Sequence, residues 1–160
     1  MAGMFDVREL VKVAVSDEKT GVVFYTEAAA KTKDAKLRGT FEKLAEEERG
    51  HEKHFRGMLE QMGDVKPPEQ YSGEYTAYLE SLTSDRAFPD DAAAVEAVKR
   101  CSSDLEVLDL ALSIERDTLI LMEEMQKLVA ERDRRIVETL ADEERSHIVA
   151  LTKARKGVAG

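Results

Sequence analysis

The sequence is poor in cysteine, proline and glycine, and these shortages exclude several kinds of protein. Cys101 is the single cysteine among 160 residues, so the chain can form neither an intramolecular disulfide nor a site with several thiolate ligands. Three prolines and nine glycines, beside 42% hydrophobic and 36% charged residues, are typical of a folded, helix-rich chain. We expect Cys101 to be a small buried hydrophobe in a protein of a reducing compartment.

Basic residues are fewer than acidic ones, 24 against 33, and long apolar runs are lacking. The net charge of −9 argues against nucleic acid and anionic membranes as partners. No apolar run exceeds four residues, so the sequence predicts no membrane span. The first residues, MAGMFDVREL, lack the apolar stretch of a secretory signal. We therefore expect a cytoplasmic protein that binds neither nucleic acid nor membrane.

Four long stretches carry apolar residues at alternating steps of three and four, the pattern of amphipathic helices. They span about residues 6–31, 35–62, 103–130 and 132–156. Capping boxes mark two helix starts, Asp6 with Glu9 and Ser103 with Glu106. Gly63 and Gly157 are placed to end the second and fourth helices.

The segment 63–102 has a different texture and predicts a long crossover. Pro67, Pro68 and Pro89 interrupt it, and two short helical pieces are expected. One face of the first piece carries Tyr71, Tyr75, Tyr78 and Leu82, which we expect to form a lid on the bundle or a subunit contact; Ala94, Val95 and Val98 mark the second. The other connections are short, so the sequence predicts an all-α four-helix bundle of two antiparallel hairpins, one domain over residues 1–160.

Six polar residues stand where the apolar stripes call for leucine: Glu18, Glu48, His51, Glu115, Glu144 and His147. Burying an unpaired carboxylate costs several kcal/mol, against a total stability of about 5–15 kcal/mol for a domain. No lysine or arginine occupies the stripes at their level. Two divalent cations would balance four carboxylates, with neutral histidines as the remaining ligands.

A repeated phrase supports this interpretation. LAEEERGH, from Leu44 to His51, and LADEERSH, from Leu140 to His147, agree at six of eight letters. Each contains a Glu-x-x-His whose two side chains share one helix face, and each follows a core-position Glu by 29 or 30 residues. One Glu from each of two helices with Glu-x-x-His from the other two is the ligand pattern of dinuclear carboxylate sites in helix bundles. Oxygen-rich ligation with two imidazoles favours iron or manganese; zinc stays open as a substitute.

Neighbouring polar residues have simpler interpretations. We expect Glu46, Glu47, Asp142 and Glu143 to be solvated helix faces and His54 to be a surface histidine. Tyr25 and Met122 occupy matching stripe positions and are expected to pack in the core, where Tyr25 could also donate a hydrogen bond near the site. Four aliphatic residues should surround the ligands: Val15, Val22, Leu112 and Leu119.

The sequence resembles the rubrerythrin branch of the ferritin-like superfamily. The resemblance is carried by DEKTGVVFY, LAEEERGHEKHF, SIERDTLILMEEM and LADEERSH, one phrase in each predicted helix. It implies that Glu48 and Glu144 bridge two irons, that Glu18 and Glu115 are terminal ligands, and that His51 and His147 each bind one iron. It also implies reduction of hydrogen peroxide with electrons from rubredoxin, and a homodimer.

Two departures from the family pattern qualify that resemblance. Full-length rubrerythrins add a rubredoxin domain with two Cys-x-x-Cys pairs, and these 160 residues hold one cysteine, so a separate electron donor is expected. Rubrerythrins also carry a further Glu three residues after the helix-three ligand, and this Glu exchanges with a histidine when one iron changes position. Here that residue is Thr118, so the resemblance does not extend to a peroxidase in which one iron moves. Peroxide or dioxygen is the expected oxidant, and a ferroxidase or iron-storage role is the alternative.

Overall fold

A computed structural model describes residues 2–63 and 69–160, which form six α-helices and two short β-strands. Along the chain these are β1 (Ala2–Phe5), α1 (Val7–Lys31), α2 (Ala35–Met62), β2 (Glu69–Ser72), α3 (Gly73–Ser84), α4 (Asp91–Arg100), α5 (Asp104–Leu128) and α6 (Glu131–Ala159). Pro67 and Pro68, predicted to interrupt the crossover, lie outside the described residues.

The four long helices form the predicted bundle. Short connections join α1 to α2 and α5 to α6, so each pair is an antiparallel hairpin, and the crossover carries α3 and α4. The all-α bundle is thus confirmed, with the two strands as an addition that the sequence did not predict. In the described ranges no helix combines the length and the apolar character that crossing a membrane requires.

Side-chain caps define where most of these helices begin. Asp6 accepts from the Arg8 backbone N–H at 2.9 Å, and Asp34 accepts from Leu37 N–H at 2.8 Å. Ser103 accepts from Glu106 N–H as predicted, but the Glu106 carboxylate returns to the N–H of Ser102 rather than of Ser103. The second predicted capping box therefore has its first hydrogen bond as expected, but its second bond comes from the N–H one residue earlier than expected.

Three local expectations need correction. Gly157 does not end α6, which continues to Ala159; within the described chain only Gly63 has a positive φ, so Gly157 keeps helical geometry. Cys101 is half-buried rather than buried, with its thiol donating to the Ala97 carbonyl. Tyr71 was expected on the first short helix of the crossover, but it lies in β2, which pairs antiparallel with β1 and precedes α3. In this pairing Phe5 is opposite Glu69.

The crossover is fastened to α1 and α5 by polar contacts. Arg86 donates through Nε to Asp17 at 2.7 Å, and Thr20 donates to Asp91 at 3.1 Å. Tyr75 donates to the buried Glu124, which supports the lid interpretation of the tyrosine face for this residue. Tyr71 and Leu82 also pack on the core, whereas Tyr78 is exposed.

The bundle core consists of two hydrophobic clusters. One contains residues 10–15 of α1, the C-terminal halves of α2 and α5, and the start of α6. The other contains residues 24–29 of α1, the start of α2, the N-terminal part of α5 and Leu151 of α6. On every long helix a gap separates the two clusters, and the six polar stripe residues fall in those gaps. The bundle therefore carries a polar layer between two apolar halves.

Candidate metal centre

The polar layer brings all six predicted ligand residues together. Glu18 comes from α1, Glu48 and His51 from α2, Glu115 from α5, and Glu144 and His147 from α6; each residue is at most 3% exposed. Helical spacing of three places each Glu-x-x-His pair on one face, and the apolar stripe turns that face inward.

Their donor atoms form two overlapping groups, within each of which the atoms lie no more than 4.8 Å apart. The first group is Glu18, Glu48, His51 and Glu144; the second is Glu48, Glu115, Glu144 and His147. Glu48 and Glu144 belong to both groups, while each remaining residue belongs to one. Two ions would therefore have two carboxylates in common, one further carboxylate each and one imidazole each.

Many polar atoms of this layer lack hydrogen bonds. Within the described residues no hydrogen-bond partner exists for Oε1 of Glu18, Oε1 of Glu48, either oxygen of Glu144, Nδ1 of His51, or either ring nitrogen of His147. His51 Nδ1 lies 2.7 Å from Glu144 Oε1, which is an ion-pair contact. Buried polar groups normally find partners, so lone pairs that converge without pairing indicate a space for a cation.

Lysine and arginine do not neutralise these carboxylates. Among the ion pairs of the described residues, the four buried glutamates pair only with the two histidines, at 2.7–3.7 Å. Four carboxylates and two imidazoles supply oxygen-rich ligation without a thiolate, which suits iron or manganese. The residues present thus fit a pair of divalent cations.

Burial and crowding set the protonation of the metal-free layer. Burial, and then repulsion from Glu48, raises the pKa of Glu18 well above its usual value; burial and repulsion from Glu144 do the same for Glu115. Burial lowers the pKa of each histidine, but close carboxylates outweigh it and raise the pKa. Burial likewise raises the pKa of Glu48, yet contacts with Glu18 and the histidines lower it overall. Protons therefore take the place of cations in this layer.

The outer nitrogens of the two histidines contact carboxylates that the sequence interpretation treated as solvated. His51 Nε2 lies 2.7 Å from Glu143 Oε2, and His147 Nε2 lies 3.2 Å from Glu47 Oε2. Each motif thus supplies the carboxylate for the other motif's imidazole. At His51 the Glu143 carboxylate accepts the Nε2 proton and leaves Nδ1 directed at the buried glutamates, the usual outer support of a metal-binding histidine. His147 Nε2 has the Glu47 contact but no hydrogen bond within the described residues. The repeated Glu-Glu-x-x-His was the sequence signal for this pair.

A buried tyrosine, Tyr25, contacts one of the four glutamates. The Tyr25 hydroxyl donates to Glu115 Oε1, and the ring packs against Phe24 and Phe41. Burial, followed by the charges of Glu115 and Glu48, raises the pKa of Tyr25 well above its usual value, so the phenol keeps its proton. The bond that the sequence allowed for Tyr25 is therefore present.

The remaining predictions near the layer are mixed. His54 and Glu46 are exposed as expected, and Met122 is fully buried. Val15 and Leu112 are buried, whereas Val22 and Leu119 are half-buried. Thr118 is buried one helical turn after Glu115, and its short side chain supplies no carboxylate there.

Comparisons with known proteins show which family and which solved structures this chain resembles. The family model described as Rubrerythrin matches residues 9–155. A crystal structure from Thermotoga maritima, described as a ferritin-like diiron-carboxylate protein, has 28% identity and a TM-score of 0.74, with 96% of each chain covered. A hypothetical protein from Pyrococcus furiosus shares the fold at 23% identity and a TM-score of 0.72, over 97% of this chain and 91% of that one. The comparison with curated proteins found no match.

Proposed function

Because the chain belongs to the rubrerythrin family, we propose that it is a di-iron oxidoreductase that reduces hydrogen peroxide with electrons from a separate donor protein such as rubredoxin. The observation that carries the proposal is the pair of overlapping ligand groups that share Glu48 and Glu144. These residues would hold two metal ions, and two ions together can supply the two electrons that the reduction of peroxide consumes.

Two ferrous ions bound here would supply one electron each, so that one peroxide and two protons give two waters. The protein holds the positions of the carboxylates and excludes bulk water. Hydrophobic clusters close the layer above and below, Glu143 fixes the His51 imidazole from outside, and Glu47 lies beside the His147 imidazole. Tyr25 keeps a proton at Glu115.

The direct test is oxidation of the anaerobic, ferrous-loaded protein by hydrogen peroxide. We expect one peroxide to oxidise two irons, faster than it oxidises the same concentration of free ferrous iron. Glu144→Ala removes a carboxylate common to both ligand groups and should abolish the difference. Exposed Glu46→Ala is the matched control. Oxidation no faster than that of free iron would overturn the peroxidase proposal.

The same ligand groups also suit a ferroxidase, which oxidises incoming iron with dioxygen for storage. Two measurements separate these functions. A preference for peroxide over dioxygen and a homodimer in solution support the peroxidase, whereas turnover of added ferrous iron with dioxygen in a many-subunit shell supports storage.

A further inference from the structure

A cavity of about 360 Å³ lies beside the polar layer, between α1, α5 and the crossover. Its wall on α1 runs over Asp17, Thr20, Gly21 and Phe24, and its wall on α5 includes Thr118. These segments flank Glu18 and Glu115 along the two helices. The cavity is therefore at the level of the ligands rather than at either end of the bundle.

The floor of the cavity is thin at Gly21. A Cβ added to Gly21 would lie 3.4 Å from Cγ and 3.7 Å from Oε2 of Glu48. Gly21 therefore lines the cavity and also lies against a carboxylate that both ligand groups share, although none of the six ligand residues lines the cavity itself. Gly21 is thus the wall between the cavity and the carboxylate side of the site.

The opposite side of the layer is closed. His51 and His147 belong to α2 and α6, and their rings stack with centroids 5.4 Å apart. Glu143 and Glu47 contact the outer nitrogens of these rings. A small molecule approaching from that side would have to displace a histidine or its supporting carboxylate.

The charged groups of the cavity act against the entry of anions. Its charged lining groups are Asp17, Asp85, Arg86 and Asp117. Arg86 donates to Asp17 at 2.7 Å and to Ser16 at 3.0 Å, so one positive charge is already paired. The excess of carboxylates disfavours anions and favours cations, while neutral molecules enter without an electrostatic penalty.

We propose that this cavity is the entrance through which a small neutral oxidant, hydrogen peroxide or dioxygen, reaches the carboxylate side of the metal site. The inference rests on the proposed function because it requires the bound metal. It adds a route, with Gly21 and Thr118 at its inner end and the crossover at its mouth.

Nitric oxide is a suitable probe, since it is small and neutral and its binding to ferrous iron is visible by absorbance without turnover. Two variants narrow the route: Thr118→Leu at the floor and Ser81→Trp at the mouth. Ser146→Trp, on the exposed surface of α6 next to His147, is the matched control for the opposite face. Iron content and helical circular dichroism are measured first for each variant.

Stopped-flow association of nitric oxide with the anaerobic ferrous protein should slow at least about tenfold in both narrowed variants, with iron content unchanged. Ser146→Trp should keep the parental rate. Equal rates in the parent and Ser81→Trp, or slowing confined to Ser146→Trp, would overturn the entrance. If Thr118→Leu does not fold, the comparison of Ser81→Trp with Ser146→Trp decides. This result is separable from peroxidase activity, because nitric oxide binding needs metal but no peroxide chemistry.

Discussion

At the residue scale, the site depends on a balance of charge among six buried side chains. Glu48 and Glu144 reach both histidines, while Glu18 and Glu115 each reach one. Without metal, raised pKa values of Glu18, Glu115 and both histidines place protons among these groups. Two divalent cations would displace those protons and balance the four carboxylates.

The contact between Glu143 and His51 gives the first prediction. Glu143→Ala should lower metal affinity about 10- to 100-fold, because His51 loses the carboxylate that fixes its ring. A titration of metal-free protein with Co²⁺, in competition with a chelator, measures this. Glu46→Ala is the control, since Glu46 pairs only with Arg49 at the surface in the described structure. Equal affinities for the two variants would show that the contact does not support the ligand.

The six buried residues could be predicted because each interrupts an apolar stripe. Glu47 and Glu143 could not be predicted in the same way, since periodicity assigns them to the polar helix face and their side chains are 36% and 52% exposed. Their contacts with histidines of the opposite hairpin depend on how α2 and α6 pack, which a single helix pattern does not contain.

At the element scale, sequence patterns of short range predicted the helices but not the two strands. Capping residues such as Asp34 and Ser103 accept a hydrogen bond from the backbone N–H three residues later. Both partners are close in sequence, so the helix start can be predicted from the sequence. β1 and β2 pair residues 2–5 with residues 69–72, and each strand has only four residues. Their pairing arises when the bundle brings these segments together, so short-range patterns could not predict it.

Gly63 provides a prediction about a helix end. Its φ of +66° with ψ of −179° suits glycine almost alone, so Gly63→Ala should cost about 1–3 kcal/mol of the free energy of unfolding. Gly50 lies inside α2 with open space around it, and Gly50→Ala should add about 0.5–1 kcal/mol. Urea unfolding of both variants measures these changes. A Gly63→Ala variant as stable as the parent would contradict the assigned end of α2.

At the scale of the whole molecule, the polar layer links stability to pH. The pKa values of His51, His147, Glu18 and Glu115 are raised in the folded, metal-free protein, so folding holds protons that the unfolded chain releases. Unfolded histidines lose theirs near pH 6.5, and unfolded glutamates are ionised below that. This stabilisation is present at low pH and disappears as the pH rises through the raised pKa values.

We therefore expect the metal-free protein to lose at least about 1 kcal/mol of unfolding free energy between about pH 6 and pH 8. Urea titrations with chelator present measure the change. Replacing both Glu18 and Glu115 by Gln should reduce the slope, because an amide holds no exchangeable acid proton. Constant or rising stability over this interval would mean that the buried groups are not protonated as described. Metal affinity should change in the opposite direction and increase with pH.

The measurement that tests the account most directly is the iron content of protein loaded anaerobically with ferrous iron and then desalted. Two overlapping ligand groups predict two irons per chain, a marked loss in Glu144→Ala, and two irons in the exposed control Glu46→Ala. A parent chain that retains no iron, or a Glu144→Ala variant that retains both ions, would contradict the claim that a pair of cations neutralises the buried carboxylates.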